Sequence, residues 1–194
     1  MNLNLKNYKY TKTWFVNSEI RRNLLNFVDV TNKYNILEIG CFEGLSSVAF
    51  SDNIMDNNLS TLDCVDPYYK SGSVEGITSL FVDEEVKNKF LHNISNSKNS
   101  HKIIFHNTTS DIFFEKNTKM FNLIYIDGCH EQGYIERDMT NSFNYLEKNG
   151  IMWMDDYGGG NKGRIKIYMD NWLDTYKGKY RLIHKGYQIA IQKL

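Results

Sequence analysis

The chain predicts an α/β fold, a mostly parallel sheet with helices on both faces, and three features predict it. The first is Asn35-Ile-Leu-Glu-Ile-Gly-Cys-Phe-Glu-Gly-Leu-Ser-Ser47, an apolar strand that turns through glycines into a helix opening at Leu45–Ser47. The second is the alternation of strand and helix patterns from Thr61 onward. The third is a pair of apolar runs, Phe121–Ile126 and Gly150–Met154, separated by an amphipathic helix. A helical crossover of that kind makes the two strands parallel.

Bulk properties bound the rest. A chain of 194 residues suits one domain, large enough to bury about 70% of its unfolded surface. We divide it into an N-terminal arm and helix (1–33) and the domain proper (34–194). With 23 basic and 23 acidic residues the net charge is zero, so no basic footprint for nucleic acid is expected. The 41% hydrophobic content argues against disorder. Three cysteines without a C-x-x-C pair suit reduced thiols in a cytoplasmic setting. No apolar run is long enough for a signal peptide or a membrane span, so no membrane partner is expected.

In chain order, Tyr8, Tyr10, Trp14 and Phe15 form an aromatic cluster before Ser18, which is placed to cap a helix reaching about Val28. Ile20, Leu24, Leu25 and Val28 mark its apolar face. The arm reads either as packing on the sheet or, through Trp14 and Phe15, as part of a substrate lid. After the glycine turn, Leu45, Val48, Ala49 and Phe50 face the core. Thr61–Val65 is a strand closing on Asp66-Pro67. An acid at that strand end can accept both hydroxyl protons of a ribose, and Asp66 before Pro67 also reads as turn chemistry. The polar stretch 68–76 is a candidate flap. A helix is expected over 84–94, a strand over 102–106, and a helix over 111–116 behind Thr109 and Ser110.

Phe121–Ile126 runs into Asp127-Gly-Cys-His130. The next helix is expected over 134–146, with Ile135, Met139, Phe143 and Leu146 on one face. Gly150–Met154 then ends in Asp155-Asp156-Tyr157. Clustered carboxylates repel one another unless a cation or a proton is supplied. All-oxygen ligation suits magnesium or a similar hard divalent ion. For any one of these acids, closing a strand is the simpler role. Cys129 has no evident activating group and is read as structural. The glycine-rich stretch 157–163 is expected to line a substrate pocket. A helix over 164–176 and a closing hairpin, Tyr180–Lys185 and Tyr187–Gln192, complete the chain.

The spacing Glu38-x-Gly40-x-x-x-Gly44 lacks the second glycine of a dinucleotide-binding turn, because Phe42 stands there. It resembles the first motif of class I S-adenosylmethionine-dependent methyltransferases. The aromatic at Phe42 is similar to the small metal-dependent O-methyltransferases, including the catechol and macrolide-sugar types, and Asp-Gly-x-His followed by strand-Asp-Asp-Tyr resembles the macrolide-sugar type. The resemblance covers about residues 34 to 194. It implies a Rossmann-like, seven-stranded, mostly parallel sheet with helices on both faces, closed by a hairpin that includes one antiparallel strand. It also implies methyl transfer from S-adenosyl-L-methionine to a hydroxyl of a small molecule or sugar, assisted by Mg2+.

Cofactor contacts are implied at Glu38, Gly40, Cys41, Phe42, Gly44, Ser46, Asp66, Thr109, Ser110 and Asp127. Metal contacts are implied at Asp127, Asp155 and Asp156. Catalytic roles are implied at His130 and Asp127, with His130 in the general-base position, since an imidazole with a pKa near 6.5 is suited to accept the hydroxyl proton; its plainer role is bonding its own loop. Thr109 and Ser110 read equally as helix caps. Two other functions fit parts of the pattern. One is a catalytically silent cofactor-binding subunit; the other is an iron oxygenase, which one histidine and three acids match poorly. A homodimer is compatible with the sequence.

Overall fold

The computed structural model describes residues 1–3, 5–69, 82–159 and 163–194. Most of the candidate flap at 68–76 and the centre of the glycine-rich stretch at 157–163 lie outside the described residues. The strands are β1 (Asn35–Ile39), β2 (Thr61–Val65), β3 (Ile103–His106), β4 (Phe121–Ile126), β5 (Leu146–Met154), β6 (Tyr180–Lys185) and β7 (Ile189–Lys193). The helices are α1 (Glu19–Asn23), α2 (Leu45–Ile54), α3 (Glu84–Ser95), α4 (Ser110–Lys116), α5 (Gln132–Asn144) and α6 (Arg164–Thr175).

Among the described residues, seven strands form one sheet in the order β3-β2-β1-β4-β5-β7-β6. β1 pairs in parallel with β2 and β4, β2 with β3, and β4 with β5, whereas β7 is antiparallel to both β5 and β6. The strand order reverses between β1 and β4. Open α/β sheets hold their ligands in the crevice at such a reversal.

Side chains alternate across the strands and build two cores. Leu37 and Ile39, Ile124 and Ile126, and Met152 and Met154 pack with Phe114 of α4, Met139 of α5 and Trp172 of α6. Ile36, Leu123, Tyr125 and Trp153 pack on the other face with Ile20 of α1, Phe50 of α2 and Phe90 of α3. Helix α2 lies inside, with Leu45 through Ser51 all buried. Its serines tolerate this because each has a partner: Ser46 and Ser47 bond Glu38, and Ser51 bonds Asn99.

Several sequence expectations are corrected. Ser18 does cap α1, accepting from Arg21 N–H at 3.3 Å. The helix, however, gives way to a 3-10 turn over Leu24–Asn26. The tighter winding keeps Leu24 inside and leaves Leu25 exposed. Helix α5 ends at Asn144, and Leu146 begins β5 opposite Phe121. Its i+3 spacing from Phe143 imitates the helical face. A register shift between Phe121 and Leu123 absorbs the extra residues of β5. Asn149 there takes a left-handed φ of 64°. The last strand starts at Ile189 rather than Tyr187.

Candidate active site

At the strand-order reversal the ends of β1 and β4 nearly touch. Asp127 N–H donates to the Ile39 carbonyl at 2.8 Å. A Cβ on Gly40, where φ is +83°, would stand 2.0 Å from the Asp127 carbonyl oxygen. Only glycine fits. Beneath the turn Glu38 is fully buried, with its carboxyl accepting from the Ser46 and Ser47 hydroxyls. Burial raises its pKa to about 7, against the pull of those two donors. Glu38 and Ser46 therefore bond each other inside the fold, where they tie β1 to the start of α2.

Asp66 faces the turn from the end of β2. Its Oδ2 accepts the N–H groups of Cys41 (2.8 Å) and Phe42 (3.0 Å), and its Oδ1 accepts that of Tyr68 (2.7 Å). Burial nevertheless raises this carboxyl above its usual pKa, with the three backbone donors opposing. Each carboxylate oxygen offers two lone pairs, so Oδ1 retains one for a further donor. Gly44, at φ +80°, opens α2 and packs on Phe90. Phe42 stacks on the exposed Trp14 at 5.4 Å. Phe15, the other half of the candidate lid, is instead buried against Phe50 and Tyr125. Its ring fills a core that its neighbour in sequence does not reach.

Thr109 caps α4, its hydroxyl accepting from Ile112 N–H at 3.3 Å. The Ser110 hydroxyl donates to the buried Asp138 of α5.

The acids gather at the ends of β4 and β5. Donor atoms of Asp127, His130 and Asp156 lie within 4.8 Å of one another. His130 Nε2 is 2.9 Å from Asp156 Oδ2. The Tyr125 hydroxyl is 2.6 Å from Asp155 Oδ2 and 3.3 Å from Asp127 Oδ2, so its one proton goes to Asp155. Asp155 Oδ1 accepts Asp156 N–H at 2.7 Å. Asp155 is thus held by its own neighbours and lies outside the converging trio. Asp156 has a left-handed φ of 58°, backbone strain of the kind concentrated at functional sites.

Burial first, and charge crowding after it, set the protonation. Asp127 opens to solvent at the crevice mouth but is packed densely by protein. That desolvation, then the charges of Asp155, Asp156 and Glu38, pushes its carboxyl well above the usual range. Burial also raises Asp155. The bond from His130 lowers Asp156, and the same bond raises His130. A small cleft beside the trio has apolar walls from Ile126, Ile135, Ile165 and Met169. A larger recess of about 240 Å³ lies at the opposite, amino end of the strands, near Phe27, Lys33 and Asn149. None of the acids reaches it, so we place the site at the carboxyl end.

Residues 37–157, more than half of the chain, match the model of a methyltransferase domain family. The chain belongs to that family. No curated protein matches the sequence of this methyltransferase domain. Among solved structures it is similar to a candidate rRNA methylase of Clostridium thermocellum, with a TM-score of 0.68 and 10% identity over 90% of this chain and 95% of that one. It is also similar to an O-methyltransferase of Bacillus cereus solved with SAH (TM-score 0.63, 12% identity, 89% and 80% covered). A third is TomG of Streptomyces achromogenes, an O-methyltransferase of tomaymycin synthesis solved with SAM (TM-score 0.62, 12% identity, 89% and 77% covered). At such identities the likeness establishes the Rossmann-like methyltransferase fold.

Sequence reasoning missed three residues that bond the candidate site residues of this methyltransferase domain. Tyr125 is hidden in an apolar strand and Asp138 on a helix, and neither carries a local signal. Tyr187 donates to Asp156 Oδ1 at 2.6 Å, and that bond raises its own pKa. Gly158 and Gly159 were its signal, because they leave room for its backbone and ring.

Proposed function

We propose that this chain transfers a methyl group from S-adenosylmethionine to a hydroxyl oxygen of a small molecule or sugar, assisted by a divalent cation. The observation that carries the reading is the convergence of Asp127, His130 and Asp156 beside the glycine turn of a methyltransferase domain. The donor set fits a hard divalent ion. Asp127 and Asp156 offer two carboxylates beside a single imidazole, and Asp155 stands next to them, accepting from the Tyr125 hydroxyl and the Asp156 N–H. We assign these three acids to the metal. When bound, such an ion neutralises the acids and acidifies an acceptor hydroxyl.

S-adenosylmethionine brings the transferable methyl group on a sulfonium centre. For it we assign the turn Gly40, Cys41, Phe42 and Gly44, with Asp66 toward the ribose, Thr109 and Ser110 toward the adenine, and Asp127 at the crevice. Glu38 and Ser46 act one layer below, fixing the shape of the turn. His130 accepts the acceptor's proton at an imidazole nitrogen. Asp156 orients that ring and stabilises its charged form, as its bond to Nε2 supports. The apolar cleft walls of Ile126, Ile135, Ile165 and Met169 border Asp127 and His130 and offer an apolar surface to the body of an acceptor. Residues 1–33 serve the single domain as a strap.

Calorimetric titration with S-adenosylmethionine, with and without magnesium, tests this on wild type and Asp155→Ala. We expect saturable cofactor binding in both proteins, with the magnesium-dependent heat lost in the variant. Cofactor binding without any metal response would remove the metal from the mechanism. An absence of cofactor binding would refute the reading. The likeness to a candidate rRNA methylase puts RNA into the acceptor screen beside small hydroxyl compounds, although the zero net charge favours the latter.

A further inference from the structure

The closing hairpin meets the acids through one side chain. The Tyr187 hydroxyl donates to Asp156 Oδ1 at 2.6 Å, while His130 Nε2 is 2.9 Å from Oδ2. The Asp156 carboxylate is therefore gripped on both oxygens, by groups from opposite sides of the sequence. Main-chain contact fixes the tyrosine as well, because its carbonyl accepts Gly158 N–H at 2.8 Å. A Cβ on Gly158 would stand 2.8 Å from Tyr187 Cα, and one on Gly159 would stand 2.7 Å from Tyr187 Cε2. Any larger residue at either position would displace the tyrosine. Core packing does not account for this arrangement, since Tyr187 remains 51% exposed. Its well-placed atom is the hydroxyl.

We propose that Tyr187 is a positioning residue that fixes the Asp156 carboxylate for a divalent cation, an inference that rests on the metal-assisted reading above. A carboxylate held on one oxygen turns about its Cβ–Cγ bond; held on both, it keeps one plane. That matters most at a residue whose backbone is already left-handed, because φ 58° sets where the side chain leaves the chain. Hydrogen-bonding partners that orient metal ligands typically contribute about 10–100-fold to metal affinity. The hairpin turn thereby becomes part of the site, although it is remote from the acids in sequence.

Manganese is the probe, and the electron paramagnetic resonance signal of the free ion is the readout. Wild type, Tyr187→Phe and Gly159→Ala are titrated at one pH, with S-adenosylmethionine affinity measured in parallel. Tyr187→Phe removes only the hydroxyl; Gly159→Ala keeps it and pushes the ring away. We expect both variants to weaken manganese binding about 10-fold or more while cofactor affinity stays within about twofold of wild type. Wild-type manganese affinity in Tyr187→Phe overturns the inference and leaves the metal-assisted reading intact. An equal loss of cofactor affinity also overturns it, because the role is then general support of the fold. No manganese uptake by the wild type overturns both. Should Tyr187→Phe fail to fold, Gly159→Ala decides alone by the same criterion.

Discussion

Glu38 shows how a residue of a candidate binding motif also braces the turn that carries it. It occupies the first position of the glycine motif, yet its carboxyl is sealed under the turn by Ser46 and Ser47. Its pKa is raised by burial from the usual 4.5 to about 7. Between those values the folded protein keeps a proton that the unfolded chain releases, so stability falls as pH rises. The contribution is complete below about pH 4.5, is lost progressively up to about pH 7, and is flat above that. The loss is on the order of 3 kcal/mol. Glu38→Gln keeps the shape and cannot ionise, so urea unfolding across this range should show that slope removed and the variant gaining relative stability toward pH 8. A slope equal to wild type would mean that Glu38 is already ionised in the fold.

At the scale of elements, the first residues act as a strap across the glycine turn. Thr11 donates its N–H and its hydroxyl to the buried Glu43 of the turn, at 2.5 and 2.6 Å. Lys9 exchanges two bonds with Asn93 of α3, and Asn93 also donates to the Glu43 carbonyl at 2.7 Å. Asn93 is fully buried, so removing it strands the groups it serves. Asn93→Ala should cost about 1–3 kcal/mol, the cost of leaving a buried polar group unpaired, because the Glu43 carbonyl loses its buried donor. Hydrogen exchange should also quicken at Lys9 and Thr11 while β4 and β5 stay protected. Uniform loosening of the sheet would instead assign Asn93 to the global core. The α1 region teaches a related lesson. Its cap was legible in Ser18, but its switch to a 3-10 turn follows from packing against the sheet, which Leu24 and Leu25 do not announce.

The whole molecule divides at the crevice between β1 and β4. What was legible in the sequence was local and periodic: the alternating strands, the glycine turn, and the gathering of Asp127, His130, Asp155 and Asp156 at neighbouring strand ends. What was not legible depends on distant partners. Leu146 leaves the helix because Phe121 receives it in the sheet, Phe15 is drawn under Phe50, and Tyr187 reaches Asp156 across 31 positions. A cofactor lying across this crevice would contact both halves, the turn and Asp66 on one side and Asp127 on the other. Binding should then stabilise the molecule as a unit. At a concentration of 100 times its Kd, S-adenosylmethionine should add about 2.7 kcal/mol, which for a chain of this size raises Tm by about 5–10 °C. Scanning calorimetry should show that shift in one transition, with hydrogen-exchange protection rising at β2 and β4 alike, and Asp66→Ala should abolish most of it. Protection confined to the β4 side would place the cofactor away from the glycine turn and Asp66, and an unchanged Tm would contradict cofactor binding altogether.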